Sequence, residues 1–166
     1  MIADIYQKPI LVFGCGNVLF GDDGFGPAVI QWLKAEQDLP PAVTAVDVGT
    51  SVRDLLFDLL LAPVKPRCLL IVDATGQAGT APGELVELEL DRIEAAKSND
   101  FSVHQFPSLN LLQELNDQDG VEVRVLAVRV SHIPDRVAPG LSGPVAAAVP
   151  AAGRWVIDRI AAAQAG

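Results

Sequence analysis

The side chains best suited to chemistry in this chain are the adjacent Asp22 and Asp23, then Asp47, Asp73 and His104. The aspartates lie where apolar, strand-like runs give way to turns. Acids at equivalent ends of neighbouring parallel strands converge along one edge of a sheet. Carboxylates joined by an imidazole form a mixed oxygen and nitrogen ligand set that suits borderline divalent ions such as zinc, nickel or manganese. The set is too poor in carboxylates for a dedicated calcium cage. The same groups can instead move protons as general acid and base. A plainer role is open to each. Asp22 or Asp23 can cap a helix, which stabilises by about 1 kcal/mol. Asp47 and Asp73 can tie down turns, and a lone histidine is commonly a hydrogen-bonded surface residue, the reading given to His132.

The acid pair belongs to the most distinctive stretch of the chain, Gly14-Cys15-Gly16-Asn17-Val18-Leu19-Phe20-Gly21-Asp22-Asp23-Gly24-Phe25-Gly26. The apolar run Ile10 to Phe13 precedes it and reads as a buried strand. Pro27 to Leu33 follows, with helical spacing and a proline in its first turn. A glycine-rich turn between strand and helix lies at the carboxyl ends of the strands, where open α/β sheets bind ligands. Gly14 and Gly16 match the first two positions of the dinucleotide fingerprint, but Leu19 stands at the third. A leucine there is expected to hinder close helix–strand packing. No Lys-Ser/Thr pair of the P-loop type is present, and an anionic loop repels phosphate. The stretch is read as a place for a cation, with one of its two acids capping a helix.

The elements that must position these residues alternate along the chain. The first helix runs to about Glu36, and Ala42 to Val46 is a short strand ending at the turn Asp47 to Thr50. Ser51 is placed to cap a helix over Val52 to Leu61, with Leu55, Leu56, Leu59 and Leu60 on its apolar face. Cys68 to Val72 is a continuous apolar run, as in a central parallel strand, and is expected to stop at Asp73. Glu84 to Leu90 alternates acid with leucine or valine, which fits an edge strand. A short polar helix over about Asp91 to Ala96 and a loop containing His104 follow. Leu109 to Leu115 reads as a helix capped by Ser108, Val121 to Val130 as a long strand, and Pro144 to Ala163 as a helix that Pro150 bends or breaks. Right-handed crossovers give an α/β fold: a three-layer α/β/α sandwich with a mostly parallel central sheet, formed as a single domain over residues 1–166.

Composition narrows the function. A chain of 166 residues with a formal net charge of −9 offers no basic stripe for nucleic acid and no attraction to anionic membranes. No segment has the apolar length of a membrane span, and Met1 to Pro9 has no signal-peptide pattern, so a cytoplasmic protein is expected. Cys15 and Cys68 read as buried free thiols, with a catalytic role for Cys15 the less favoured option. Neither a Gly-x-Ser-x-Gly elbow nor a His-Glu-x-x-His helix occurs.

Several of these motifs fall together in one order: the Gly-x-Gly-Asn-x-Leu-x-x-Asp-Asp-Gly-x-Gly turn, Asp47-Val48-Gly49-Thr50, the apolar strand before Asp73, Pro82-Gly83, and His104-Gln105 before a leucine-rich helix. In this the chain resembles the nickel–iron hydrogenase maturation endopeptidases. The resemblance implies an aspartic-type peptidase that removes a C-terminal extension from the hydrogenase large subunit once nickel has been inserted. It implies that Asp23, Asp73 and His104 form the catalytic, nickel-binding set, although many members carry glutamate where Asp23 stands. It also implies that the nickel is supplied by the nickel-loaded precursor, the protein's partner, with no tightly bound organic cofactor. Gly14 to Asn17, Ser102 to Gln105 and Ile133 to Ser142 look most like the branch serving deazaflavin-reducing and related cytoplasmic hydrogenases. Two other classes stay open on the residues alone: a nucleotide- or cofactor-binding α/β module, and a binder of a metallated subunit that does not cut it.

Overall fold

Ile10–Cys15 forms β1, and all of its residues are buried because parallel strands surround it and helices cover both of its faces. This is a computed structural model, which describes residues 5–76, 81–90 and 109–166. Val43–Gly49 forms β2, Cys68–Thr75 β3, Leu85–Leu88 β4 and Glu122–Arg129 β5. The sheet order is β2-β1-β3-β5-β4, with every pairing parallel except the antiparallel β4–β5 edge.

The helices are α1 (Phe25–Glu36), α2 (Val52–Leu61), α3 (Leu109–Asp117) and α4 (Gly143–Ala165). Alternation along the strands divides the core in two. Ile10, Val12, Leu70 and Val72 pack with Val29, Ile30 and Leu33 of α1 and Val145, Ala152 and Val156 of α4. Leu11, Phe13, Leu69 and Ile71 pack with Leu56 and Leu59 of α2 and Leu112 and Leu115 of α3. The molecule is therefore the expected three-layer α/β/α sandwich around a mostly parallel sheet. Among the described residues no helix is long and apolar enough to cross a membrane.

Local expectations met mixed outcomes. α2 covers the expected residues, but Ser51 makes no side-chain capping bond. The carboxyl end of α2 is closed instead by Lys65, whose ammonium donates to the carbonyls of Leu59, Leu60 and Ala62 at 2.8, 2.6 and 2.6 Å. α4 passes through Pro150 without a break. β3 does not stop at Asp73; it continues to Thr75 because β5 pairs with it as far as Thr75–Arg129. The polar helix over 91–96, the capping role of Ser108 and the loop of His104 lie outside the described residues.

Candidate active site

β1 ends between two acidic strands. In register, Gly14 faces Asp47 on β2 and Val72 on β3, one residue before Asp73. The chain then turns over the sheet edge through a short 3-10 helix, Gly21–Gly24, before entering α1. Two glycines make this turn possible. Gly16 has φ +131°, and a Cβ on it would overlap the carbonyl oxygen of Asp23. A Cβ on Gly26 would overlap the backbone of Cys15 and the carbonyl of Val72, so only glycine lets α1 begin directly against β1 and β3. Leu19, expected to obstruct that packing, is 45% exposed, because the 3-10 turn shifts the close approach to Gly26.

The two adjacent acids have separate roles. Neither caps α1, whose N-cap position is Gly24 without a side-chain bond. Asp22 reaches the start of α4: its Oδ1 accepts the Ser142 backbone N–H at 2.7 Å, and its Oδ2 the Ser142 hydroxyl at 2.8 Å. Ser142 is the N-cap residue of α4, so Asp22 fastens the residue that opens that helix. The expected capping of a helix by one of the two acids is not observed at the 3-10 helix, α1 or α4. Asp23, only 2% exposed, accepts the Asn17 N–H on Oδ2 at 2.9 Å. Asn17 in turn accepts the Leu19 N–H at 3.0 Å, which sets the tight bend between them.

Asp73 is 7% exposed, and its Oδ1 accepts the N–H of Ala74 at 2.8 Å. Asp47 is exposed and accepts the Gly49 N–H at 2.9 Å, the turn-fixing role open to it from the sequence. These acids converge on Cys15. Burial pushes its thiol well above the ordinary cysteine value, and the charges of Asp73, Asp47 and Asp23 push it further in the same direction. A thiol held protonated first by burial and then by neighbouring carboxylates is a poor nucleophile, which argues against a catalytic role for Cys15. The structure thus brings Asp23, Asp73 and Asp47 to one sheet edge around one residue. His104 lies outside the described residues, and among those described no three His, Cys, Asp or Glu side chains form a group that could hold a metal ion. Two buried carboxylates, Asp23 and Asp73, near one buried thiol give this edge groups whose chemistry suits a cation or proton exchange.

Sequence reasoning missed Ser142. Its position just before Gly143-Pro144 is an N-cap signal, but nothing in the sequence spacing joins it to Asp22.

The model of the hydrogenase maturation protease family matches residues 27–159. The coenzyme F420 hydrogenase subunit delta of Methanothermobacter thermautotrophicus is 33% identical over 159 residues, covering 93% of this chain and 96% of that protein. The hydrogenase 2 maturation protease of Escherichia coli is 30% identical over 142 residues, covering 84% and 83% of the two chains. The solved hydrogenase maturating endopeptidase HybD from Escherichia coli superposes with a TM-score of 0.71 at 29% identity, covering 92% of each chain. A five-stranded, mostly parallel sheet, an acidic carboxyl edge and likeness along nearly the whole chain lead to one assignment: this chain belongs to the hydrogenase maturation protease family.

Proposed function

We propose that this chain is an endopeptidase that removes the C-terminal extension of a nickel–iron hydrogenase large-subunit precursor after nickel insertion. The observation that carries the reading is the pair of buried carboxylates, Asp23 and Asp73, both close enough to Cys15 at the sheet edge to act on its thiol. His104 completes the set in this proposal, on the family resemblance alone. Likeness to the F420 hydrogenase delta subunit favours a deazaflavin-reducing type of hydrogenase, processed in the cytoplasm, as the source of the precursor.

The nickel belongs to the substrate. It arrives held by the precursor's own ligands, and Asp23 and Asp73 offer it additional oxygen donors. Docking of the metal on this edge fixes the register of the peptide that follows it in the precursor. Hydrolysis then needs a proton taken from the attacking water and one delivered to the departing amide nitrogen. A carboxylate beside the scissile carbonyl supplies the first service, and returning that proton supplies the second. Nickel at the same carbonyl would add Lewis-acid polarisation. The reading is tested by incubating the protein with nickel-loaded precursor and following the precursor by mass spectrometry. Loss of a C-terminal peptide is the expected result, and an unchanged mass rejects the endopeptidase assignment.

A further inference from the structure

We infer that a groove beside the acid edge, between α1 and the pair Gly140-Leu141, holds an extended stretch of the substrate polypeptide, and that Lys34 pairs there with an acidic side chain of that stretch. The choice of a polypeptide as occupant rests on the endopeptidase reading above. The groove encloses about 690 Å³. It opens at Val18, Gly24 and Asp47, is walled by Leu141, and reaches Lys34 near the end of α1. Gly24 follows Asp23 directly, and Asp47 is one of the three carboxylates around Cys15, so the groove starts at the site itself.

Three features favour an extended peptide. First, the wall is fixed in place. Ala138 forms a parallel bridge with Phe20, its N–H donating to the Leu19 carbonyl at 2.8 Å and its own carbonyl accepting the Gly21 N–H at 2.9 Å. Asp22 then fastens Ser142. Second, the lining presents an apolar side chain to solvent: Val18 is 52% exposed. Third, β2 is a terminal strand of the sheet, so one of its backbone edges has no partner strand among the described residues. Such an edge offers main-chain hydrogen bonds to an extended chain.

Charge selects the acidic character of the occupant. The charged residues lining the groove are Asp47 and Lys34. Lys34 makes no ion pair among the described residues, and it is a cation on a chain of net charge −9. From Pro27 to Lys34 is two turns of helix, about 10 Å, which about three residues of extended chain span. Lys34 also stands in the last turn of α1, where any cation suits the helix dipole. That role needs a charge but no occupant.

The test is a two-dimensional NMR titration of ¹⁵N-labelled protein with an unlabelled hexapeptide of alanine and valine carrying one glutamate, and with its glutamine counterpart. Shifts are expected at the amides of Val18, Gln31, Lys34, Asp47 and Leu141. The glutamate peptide should bind about three-fold more tightly than the glutamine one. Lys34→Gln should erase that preference, and Ala35→Trp should weaken both peptides at least ten-fold, with melting temperatures held as the check on folding. No shifts in the groove, shifts confined elsewhere, or a glutamate preference that survives Lys34→Gln would overturn the inference. Peptides that fail to bind while the wild type still trims nickel-loaded precursor would reject the groove alone. Bound peptides with an untrimmed precursor would reject the endopeptidase reading instead.

Discussion

Asp22 and Asp23 are neighbours in sequence, yet a serine 120 residues away engages the first while the second folds back onto Asn17. Their side chains therefore answer differently to substitution. Asp23→Asn and Asp73→Asn each keep a carbonyl oxygen to accept the existing backbone bond but lose the negative charge. Processing of nickel-loaded precursor should fall by about 10²-fold or more, with melting temperatures close to wild type. A large loss of melting temperature with processing intact would instead make both acids structural. For Cys15 the expectation runs the other way. Its thiol is buried and pushed upward by burial and by the charges of Asp73, Asp47 and Asp23, so it stays protonated well into alkaline solution. Cys15→Ala should process precursor within about two-fold of wild type, and iodoacetamide at pH 8 should leave Cys15 unmodified in the folded protein. Abolition of processing by this alanine would return the thiol to the mechanism.

At the level of elements, the link from Asp22 to Ser142 joins the 3-10 turn to the N-terminus of α4. Asp22→Ala removes both acceptors and leaves Ser142, at the start of α4, without this anchor. We expect a loss of about 2 kcal/mol, seen as a melting temperature lower by about 4–8 °C. Asp22→Asn should lose less, since its amide oxygen still accepts the Ser142 N–H. Equal losses from the two variants would mean that the bond to the backbone contributes little. The limits of the sequence are also visible here. Apolar runs located β1 and β3, because continuous burial leaves a composition signal, and alternation of acid with leucine or valine located the edge strand β4. The ends of β2 and β3 were misplaced: Asp47 to Gly49 stay in β2 beside Gly14 and Cys15, and Asp73 to Thr75 stay in β3 by pairing with Ala127 to Arg129 of β5. The convergence of acids at one edge was legible because parallel strands align their carboxyl ends. The partner of Asp22 was not, because contacts across such a separation depend on how the layers close. Leu19 was misjudged for a related reason: the fingerprint assumes an uninterrupted strand-to-helix turn, and the 3-10 insertion gives the close approach to Gly26.

For the molecule as a whole, an acidic chain with carboxylates gathered at one rim would attract there a cation carried by a partner. If nickel is read as part of the substrate, the metal must be in the precursor. Metal-free precursor should resist cleavage even when nickel is added to the protease beforehand, while nickel-loaded precursor should be cut by protease prepared in chelator. Efficient trimming of metal-free precursor, followed by gel shift or intact mass, would remove nickel from recognition without removing the peptidase.

The fastening of Asp22 by Ser142 also fixes when the site can exist. A growing polypeptide has made the acid turn and all of β3 before Ser142 is synthesised, and until then the turn has no anchor on α4. Contacts so distant in sequence form late, after the loop between them has been closed at an entropic cost. Chains interrupted before Ser142 would carry Asp22, Asp23 and Asp73 in full and still lack a rigid rim. The acids of the rim are thus complete in sequence long before the residue that anchors their turn.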